Sequence, residues 1–247
     1  MKILVVLPIR KEIDAFRNAC VARGFHVADA VIGRLPVVLV PDLGLTFAHG
    51  GLGKVQFAVQ TQHLLDVCPD WDLAICAGAA GALVDELAVG DAVVATETVE
   101  HDINNHFGPP RLPRFCGIPT GLESLKRVAG LPSAFRVHFG PIASGDEDVV
   151  EAERREVLHR RTGALAVAWE GAGGARACCF SDVPFIEIRG VTDRANGSAA
   201  VDFRANLETA LGNVAALILT WVRMHGLGEG IPRQLPDTGC PSQKTVV

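Results

Sequence analysis

What this 247-residue sequence lacks narrows its function first. Positive charge is not in excess: 23 lysines and arginines against 28 aspartates and glutamates leave a net charge of −5. A nucleic-acid scaffold wants a basic surface, so that partner is not expected. No apolar run reaches the roughly 18 residues of a membrane span, which argues against a membrane partner. Met1-Lys2 leads straight into a strand-like run, so no signal peptide is expected. The seven cysteines fall at irregular spacing and form neither a metal-ligand pattern nor an even disulfide framework. No metal or cofactor is expected, and a reducing cytoplasm fits best. Internal repeats are also missing.

What is present is core-rich and alternating. Hydrophobic residues make up 49% and charged residues 21%, a globular composition, and the length suits one large α/β domain. Ile3-Leu4-Val5-Val6-Leu7 reads as a buried strand ended by Pro8. A helix is predicted over 11–22, with Ile13, Phe16, Ala19 and Cys20 on one face. Strands follow over 36–40 and 43–49, a helix over 54–68, a strand over 73–76 ending on Gly78, and another over 91–99. The stretch 104–120 is rich in Pro, Arg, Asn and Gly and reads as a long exposed loop. A helix over 122–129, a strand over 137–143 and a charged helix over 151–161 come next. Strands over 164–168 and 185–191 enclose a glycine-rich helix over 171–180, and a long helix over 203–225 closes the pattern. Residues 226–247 are expected to be a loose tail, so the domain spans 1–225. Strands alternating with helices imply a three-layer αβα fold around a central mixed, mainly parallel sheet.

Ligands in such sheets sit at the carboxyl ends of strands. Those ends carry Arg10 and Glu12, Gly50 through Lys54, Gly78-Ala79-Ala80-Gly81, Ser144-Gly145-Asp146, Trp169-Glu170-Gly171, and Arg189 through Asp193. Carboxylates among them suit general acid and base work, and glycines let a ligand approach the backbone. Taken alone, Glu12 is an ordinary residue of a helix start and Asp193 a turn or cap residue. Glu170 in an apolar segment is harder to dismiss, because a buried carboxylate needs partners. Lys54 reads as structural or solvated, and Cys178-Cys179 as helix packing.

These segments, in this order, resemble the nucleoside phosphorylase superfamily, and most closely the methylthioadenosine/S-adenosylhomocysteine nucleosidases. The likeness runs from Met1 to about His225. Met1-Lys2-Ile3 with Glu12 matches the family's opening strand and catalytic Glu, and Gly51-Leu52-Gly53-Lys54-Val55 a Gly-Ile-Gly-Lys-Val turn. Gly78-Ala79-Ala80-Gly81 followed by Val89-Gly90-Asp91 matches a Gly-Ser-Ala-Gly then Val-Gly-Asp pair. Ser144-Gly145-Asp146 matches the base-pocket loop, Trp169-Glu170-Gly171 the ribose motif, and Arg189 through Asp193 an Arg-x-x-Ser-Asp segment with Thr192 for Ser.

The resemblance implies that Asp193 protonates a departing purine near nitrogen 7, that Glu12 activates water as inverting glycosidases do, and that Arg189 orients Glu12. It implies that Glu170 binds ribose hydroxyls and favours the oxocarbenium-like transition state. Phe203 would pack on sugar and base, and Gly78, Ala79, Trp169, Asp148, Val149 and Thr192 would complete the substrate site. A homodimer is implied too, with a neighbour's loop, somewhere in 104–114, completing the 5′ side of the pocket.

Departures from the pattern matter as much. Phosphorylases of the superfamily hold phosphate with an Arg and a Ser where this chain has Cys76 and Ala79. Losing a charged donor and a hydroxyl removes the chemistry of an anion site, unless Arg10 replaces it. Ala79 also stands for a Ser that assists water in the nucleosidases. Asp148 and Val149 replace Phe and Ile in the base pocket, and Ala168 and Trp169 replace Glu and Met in the ribose motif. The expected function is hydrolysis of the N-ribosidic bond of an adenine-type, 5′-modified purine nucleoside such as methylthioadenosine or S-adenosylhomocysteine. A purine nucleoside phosphorylase or futalosine hydrolase of the same fold, and a non-catalytic nucleoside-binding module, are the alternatives.

Overall fold

A computed structural model describes residues 1–108 and 111–225 of the chain. The elements are β1 Ile3–Leu7, α1 Arg10–Ala22, β2 Ala28–Ile32, β3 Leu35–Val40 and β4 Leu45–His49. After these come α2 Lys54–Val67, β5 Leu73–Ala82, β6 Ala92–Glu100, β7 Arg114–Cys116, α3 Pro119–Ala129 and β8 Val137–Ser144. The chain continues with α4 Ala152–Thr162, β9 Ala166–Ala168, α5 Gly171–Phe180, β10 Phe185–Asp193 and α6 Ala199–His225.

Alternation along β1 shows why helices cover both sides of the sheet. In a strand successive side chains point to opposite faces, and here both faces are apolar. Ile3, Val5 and Leu7 join a core with Phe16 and Cys20 of α1, Leu125 of α3, and Leu211, Val214, Ile218 and Trp221 of α6. Leu4 and Val6 join a second core with Phe57 and Leu64 of α2 and Ala172, Ala175 and Cys178 of α5. Each such Leu, Ile or Phe, once fully buried, contributes about 1.5–3 kcal/mol. By length and composition α6 is long and apolar enough to cross a membrane. In the fold it is a core helix, packed on β10 and α1.

The sheet has ten strands in the order β10-β6-β8-β9-β5-β1-β4-β3-β2, with β7 beside β6. Its long central pairings are parallel: β1 with β4 and β5, β10 with β5, and β6 with β8. Antiparallel pairs occur at the β2–β3–β4 edge and where β6 meets β10 and β5 meets β9. Because β10 also pairs with β5, strands β5, β10, β6, β8 and β9 close on themselves, and ends of oppositely running strands converge on one side.

Several elements differ from the sequence reading, three of them by more than their ends. The strand expected to stop at Gly78 continues to Ala82. The expected loop 104–120 contains β7 and the start of α3. The edge strand β2 was not foreseen. The glycine-rich α5 is helical as expected, because small residues let it lie against α2: a side chain on Gly173 would strike the backbone of Lys54. The tail expected over 226–247 lies outside the described residues.

Candidate active site

The strand ends that converge surround a cleft of about 400 Å³. Pro8 and Ile9 after β1, Ala79 to Gly81 in β5, Glu147 to Val150 after β8, and Ala168 to Glu170 after β9 form its walls. Arg189, Thr192 and Asp193 come from β10, and Phe203 and Arg204 from α6. Of the residues singled out from sequence, Glu12, Ala79, Asp148, Val149, Trp169, Glu170, Arg189, Thr192, Asp193 and Phe203 all line this cleft. Gly78 does not line it and is corrected to a supporting role. A Cβ there would lie 2.7 Å from Nη1 of Arg189 and 3.1 Å from Oε1 of Glu12, so its missing side chain makes room for both.

Glu12 owes its place to the helix start. It is the third residue of α1, where a glutamate reaches back to the N-cap amide, and the Ile9 N–H donates to its Oε2 at 3.1 Å. The Ala79 N–H donates to Oε1 at 2.9 Å. The ordinary helix-start role and a chemical role therefore coincide in one side chain. Glu12 is only 2% exposed, and burial pushes its carboxyl up to about 7 despite these amides and the charge of Arg189. That follows from the cost of a charge in a dry site.

Arg189 does not orient Glu12 by a hydrogen bond, which corrects the sequence expectation. Its Nε donates to Oε1 of Glu187 at 2.8 Å. Nη1 and Nη2 donate to Oε2 of Glu170 at 3.2 and 3.3 Å, and Nη2 lies 3.3 Å from Sγ of Cys76. Oε1 of Glu170 accepts from the Gly53 N–H at 3.4 Å, and a carboxylate oxygen has room for a further donor. Burial raises the Glu170 carboxyl, and the Arg189 charge opposes the rise.

Asp193 and Thr192 are neighbours in sequence yet both line the cleft, because the β5–β10 register slips between Val191 and Asp193. Such irregularities re-aim side chains beside active sites. The Ala195 N–H donates to Oδ1 of Asp193 at 2.9 Å, and Thr192 Oγ1 lies 2.8 Å from Oδ2. Burial raises this carboxyl above its ordinary range, against both hydrogen bonds. The Thr192 hydroxyl is also 3.3 Å from the Ala80 carbonyl. Turned that way, it can receive a proton-bearing Asp193 as an acceptor.

Sequence reasoning missed Glu187 outright and did not find the partners of Lys54. Glu187 is fully buried under Arg189; its signal was a Glu-x-Arg alternation placing two charges on one face of an apolar strand. Lys54 donates to Glu100 at 2.9 Å and to Asp102 at 2.5 Å, while its backbone N–H donates to Asp146 at 2.8 Å. This pins the turn that carries Leu52 into the cleft wall, but residues so far apart leave no local signal. Arg10 is exposed and faces a separate depression with Arg17 and His49, so it is no substitute cation for phosphate in this cleft. Among the described residues no group of three or more His, Cys, Asp or Glu could hold a metal ion.

Known proteins resemble this chain over most of its length. The sequence pattern of the phosphorylase superfamily matches residues 2–223. A 5′-methylthioadenosine/S-adenosylhomocysteine nucleosidase of Exiguobacterium sp. is 30% identical over 234 residues, covering 89% of this chain and 96% of its own. The protein of that name from Thermotoga maritima is 31% identical over 214 residues, covering 87% and 91%. Among solved structures, the Neisseria meningitidis nucleosidase in complex with methylthio-immucillin-A superposes with a TM-score of 0.80 at 30% identity, over 91% of this chain and 99% of that one. Futalosine hydrolase of Helicobacter pylori gives a TM-score of 0.80 at 26% identity, over 91% and 98%.

Proposed function

Since this chain belongs to the phosphorylase superfamily, we propose that its cleft hydrolyses the N-ribosidic bond of a purine nucleoside, adenine-type and modified at the 5′ position, as in methylthioadenosine or S-adenosylhomocysteine. The protein is an N-glycosyl hydrolase. The observation that carries the reading is the pair of buried carboxyls, Glu12 and Asp193, in one cleft and each held by backbone N–H donors. Breaking the bond builds positive charge on the sugar and negative charge on the base. Asp193, whose carboxyl burial raises, gives its proton to the base when it carries one. Glu12, once ionised, takes a proton from water as its oxygen bonds to the sugar, and Glu170 holds ribose hydroxyls. Asp148 lines the cleft and can only accept when ionised, which suits an exocyclic amine.

Water is favoured over phosphate by what the anion site would need. Ala79 offers no hydroxyl, the Cys76 thiol is buried, and Arg189 is committed to Glu170 and Glu187. The test is a panel of 5′-modified purine nucleosides assayed by chromatography with and without phosphate. Free base at the same rate in both is expected; a phosphate requirement selects the phosphorylase, and binding without turnover selects the non-catalytic module. A 6-oxopurine substrate preferred over all adenine nucleosides selects the futalosine-like reading.

The working form is proposed to be a homodimer in the cytoplasm. Helix α2 is apolar on both sides: Phe57 and Leu64 are buried, while Val55 and Val59 are 74% and 64% exposed. Leu52, one turn earlier, joins that face to the cleft wall, and Phe107 is fully exposed. No described residue of 103–114 lines the chain's own cleft, as expected if that loop serves a neighbour. Arg114 is tied to Glu97 of its own chain. Val59→Asp is expected to yield a monomer by light scattering, with activity largely lost. A native chain that is monomeric and fully active contradicts the dimer.

A further inference from the structure

Beneath the cleft lies a carboxylate that the proposed chemistry does not use. Glu187 is 0% exposed and sits mid-strand in β10, where a buried charge without partners is costly. All its partners are specific. Oε1 accepts from Nε of Arg189 at 2.8 Å, and Oε2 accepts from the Thr98 hydroxyl of β6 at 2.5 Å. Its carboxyl group also lies against the first residue of α5, where any side chain on Gly171 would collide with both oxygens. Room for this acid is therefore built into the start of α5.

The arrangement divides the Arg189 guanidinium into two edges. Glu187 takes the Nε edge, and the Nη edge meets Glu170. A planar guanidinium fixed at one edge has the direction of the other edge fixed too. Without Glu187, the buried cation would be drawn to its remaining acidic neighbours, Glu12 from α1 and Glu170 before α5, with the Cys76 thiol of β5 alongside.

We propose that Glu187 is a positioning residue of this site, holding the Nε edge of Arg189 so that its other edge meets Glu170 and Glu12 is left to its backbone donors. The inference rests on the reading that Glu12 is the base, and it makes charge and reach separable. Glu187→Gln keeps size and an acceptor but removes a negative charge, so Arg189 acts more fully on Glu12. The acid limb of the kcat profile should move to lower pH, with kcat reduced. Glu187→Asp keeps the charge but falls short of Nε, so kcat should fall with the limb in place. Thr98→Val, nearly isosteric, should lower kcat modestly without unfolding the chain, and it carries the test if neither Glu187 variant folds.

Profiles and kcat of the folded Glu187 variants that superimpose on the native enzyme overturn the proposal. So does a pure loss of thermal stability with kcat unchanged, or an unaltered Thr98→Val enzyme where that variant must decide. Glu12→Gln, run alongside, separates this from failure of the underlying reading. If Glu12→Gln stays active the base assignment fails; if it is inactive while Glu187→Gln is unaltered, only the positioning role fails.

Discussion

Asp193→Asn is expected to bind nucleoside nearly as the native protein does and to lose roughly a hundred- to ten-thousand-fold in turnover, the range of a general acid. That range corresponds to about 3 to 5 kcal/mol of barrier. Asparagine is close in size, and its amide oxygen can still accept the Ala195 N–H bond that the carboxylate accepts at 2.9 Å. What it cannot do is deliver a proton to a departing base. The loss should shrink for a nucleoside whose base leaves readily without protonation. Steady-state rates on a good and a poor leaving group, with binding measured by calorimetry, check this. Near-native turnover on the poor leaving group would remove Asp193 from the mechanism.

Glu12→Gln is the second large effect, of similar size. The native carboxyl sits at about 7 because burial outweighs its hydrogen bonds. A base must be ionised, so activity should rise as pH passes upward through about 7 and fall below it. The amide of the variant has no such titration, and its residual rate should be flat across that window. A native profile without a limb near 7 would mean that another group supplies the base.

Much of this arrangement can be read from residues before any coordinates, and the failures have physical causes. β1 and α1 are legible because Ile3 to Leu7 are continuous and β-branched, and because Phe16 and Cys20 recur at helical spacing on the buried face. Glu12, Glu170 and Asp193 stand out as acids at strand ends, while Asp148, Val149 and Phe203 are reached through the family resemblance. β2 is not, since its residues alternate between half-buried and exposed at a sheet edge and show no continuous apolar run. The extension of β5 beyond Gly78 is hidden for another reason. Its glycines and alanines resemble a turn, yet they stay in the strand because Arg189, Glu12 and Asp193 fill the space where side chains would be. The Lys54, Glu100 and Asp102 cluster is invisible to any window of sequence, because only the fold brings β6 against the start of α2. The hydrogen bonds of Arg189 go to Glu187 and Glu170, a direction that spacing along β10 does not give.

The central claim is that water, activated in this cleft, attacks the sugar. Turnover of methylthioadenosine or a 5′-modified relative in heavy-oxygen water, with phosphate present, tests it most directly. The account predicts free purine together with a sugar that carries one heavy oxygen at its anomeric position, at a rate unaffected by phosphate. A sugar 1-phosphate, with no heavy oxygen bonded to the anomeric carbon, would contradict it.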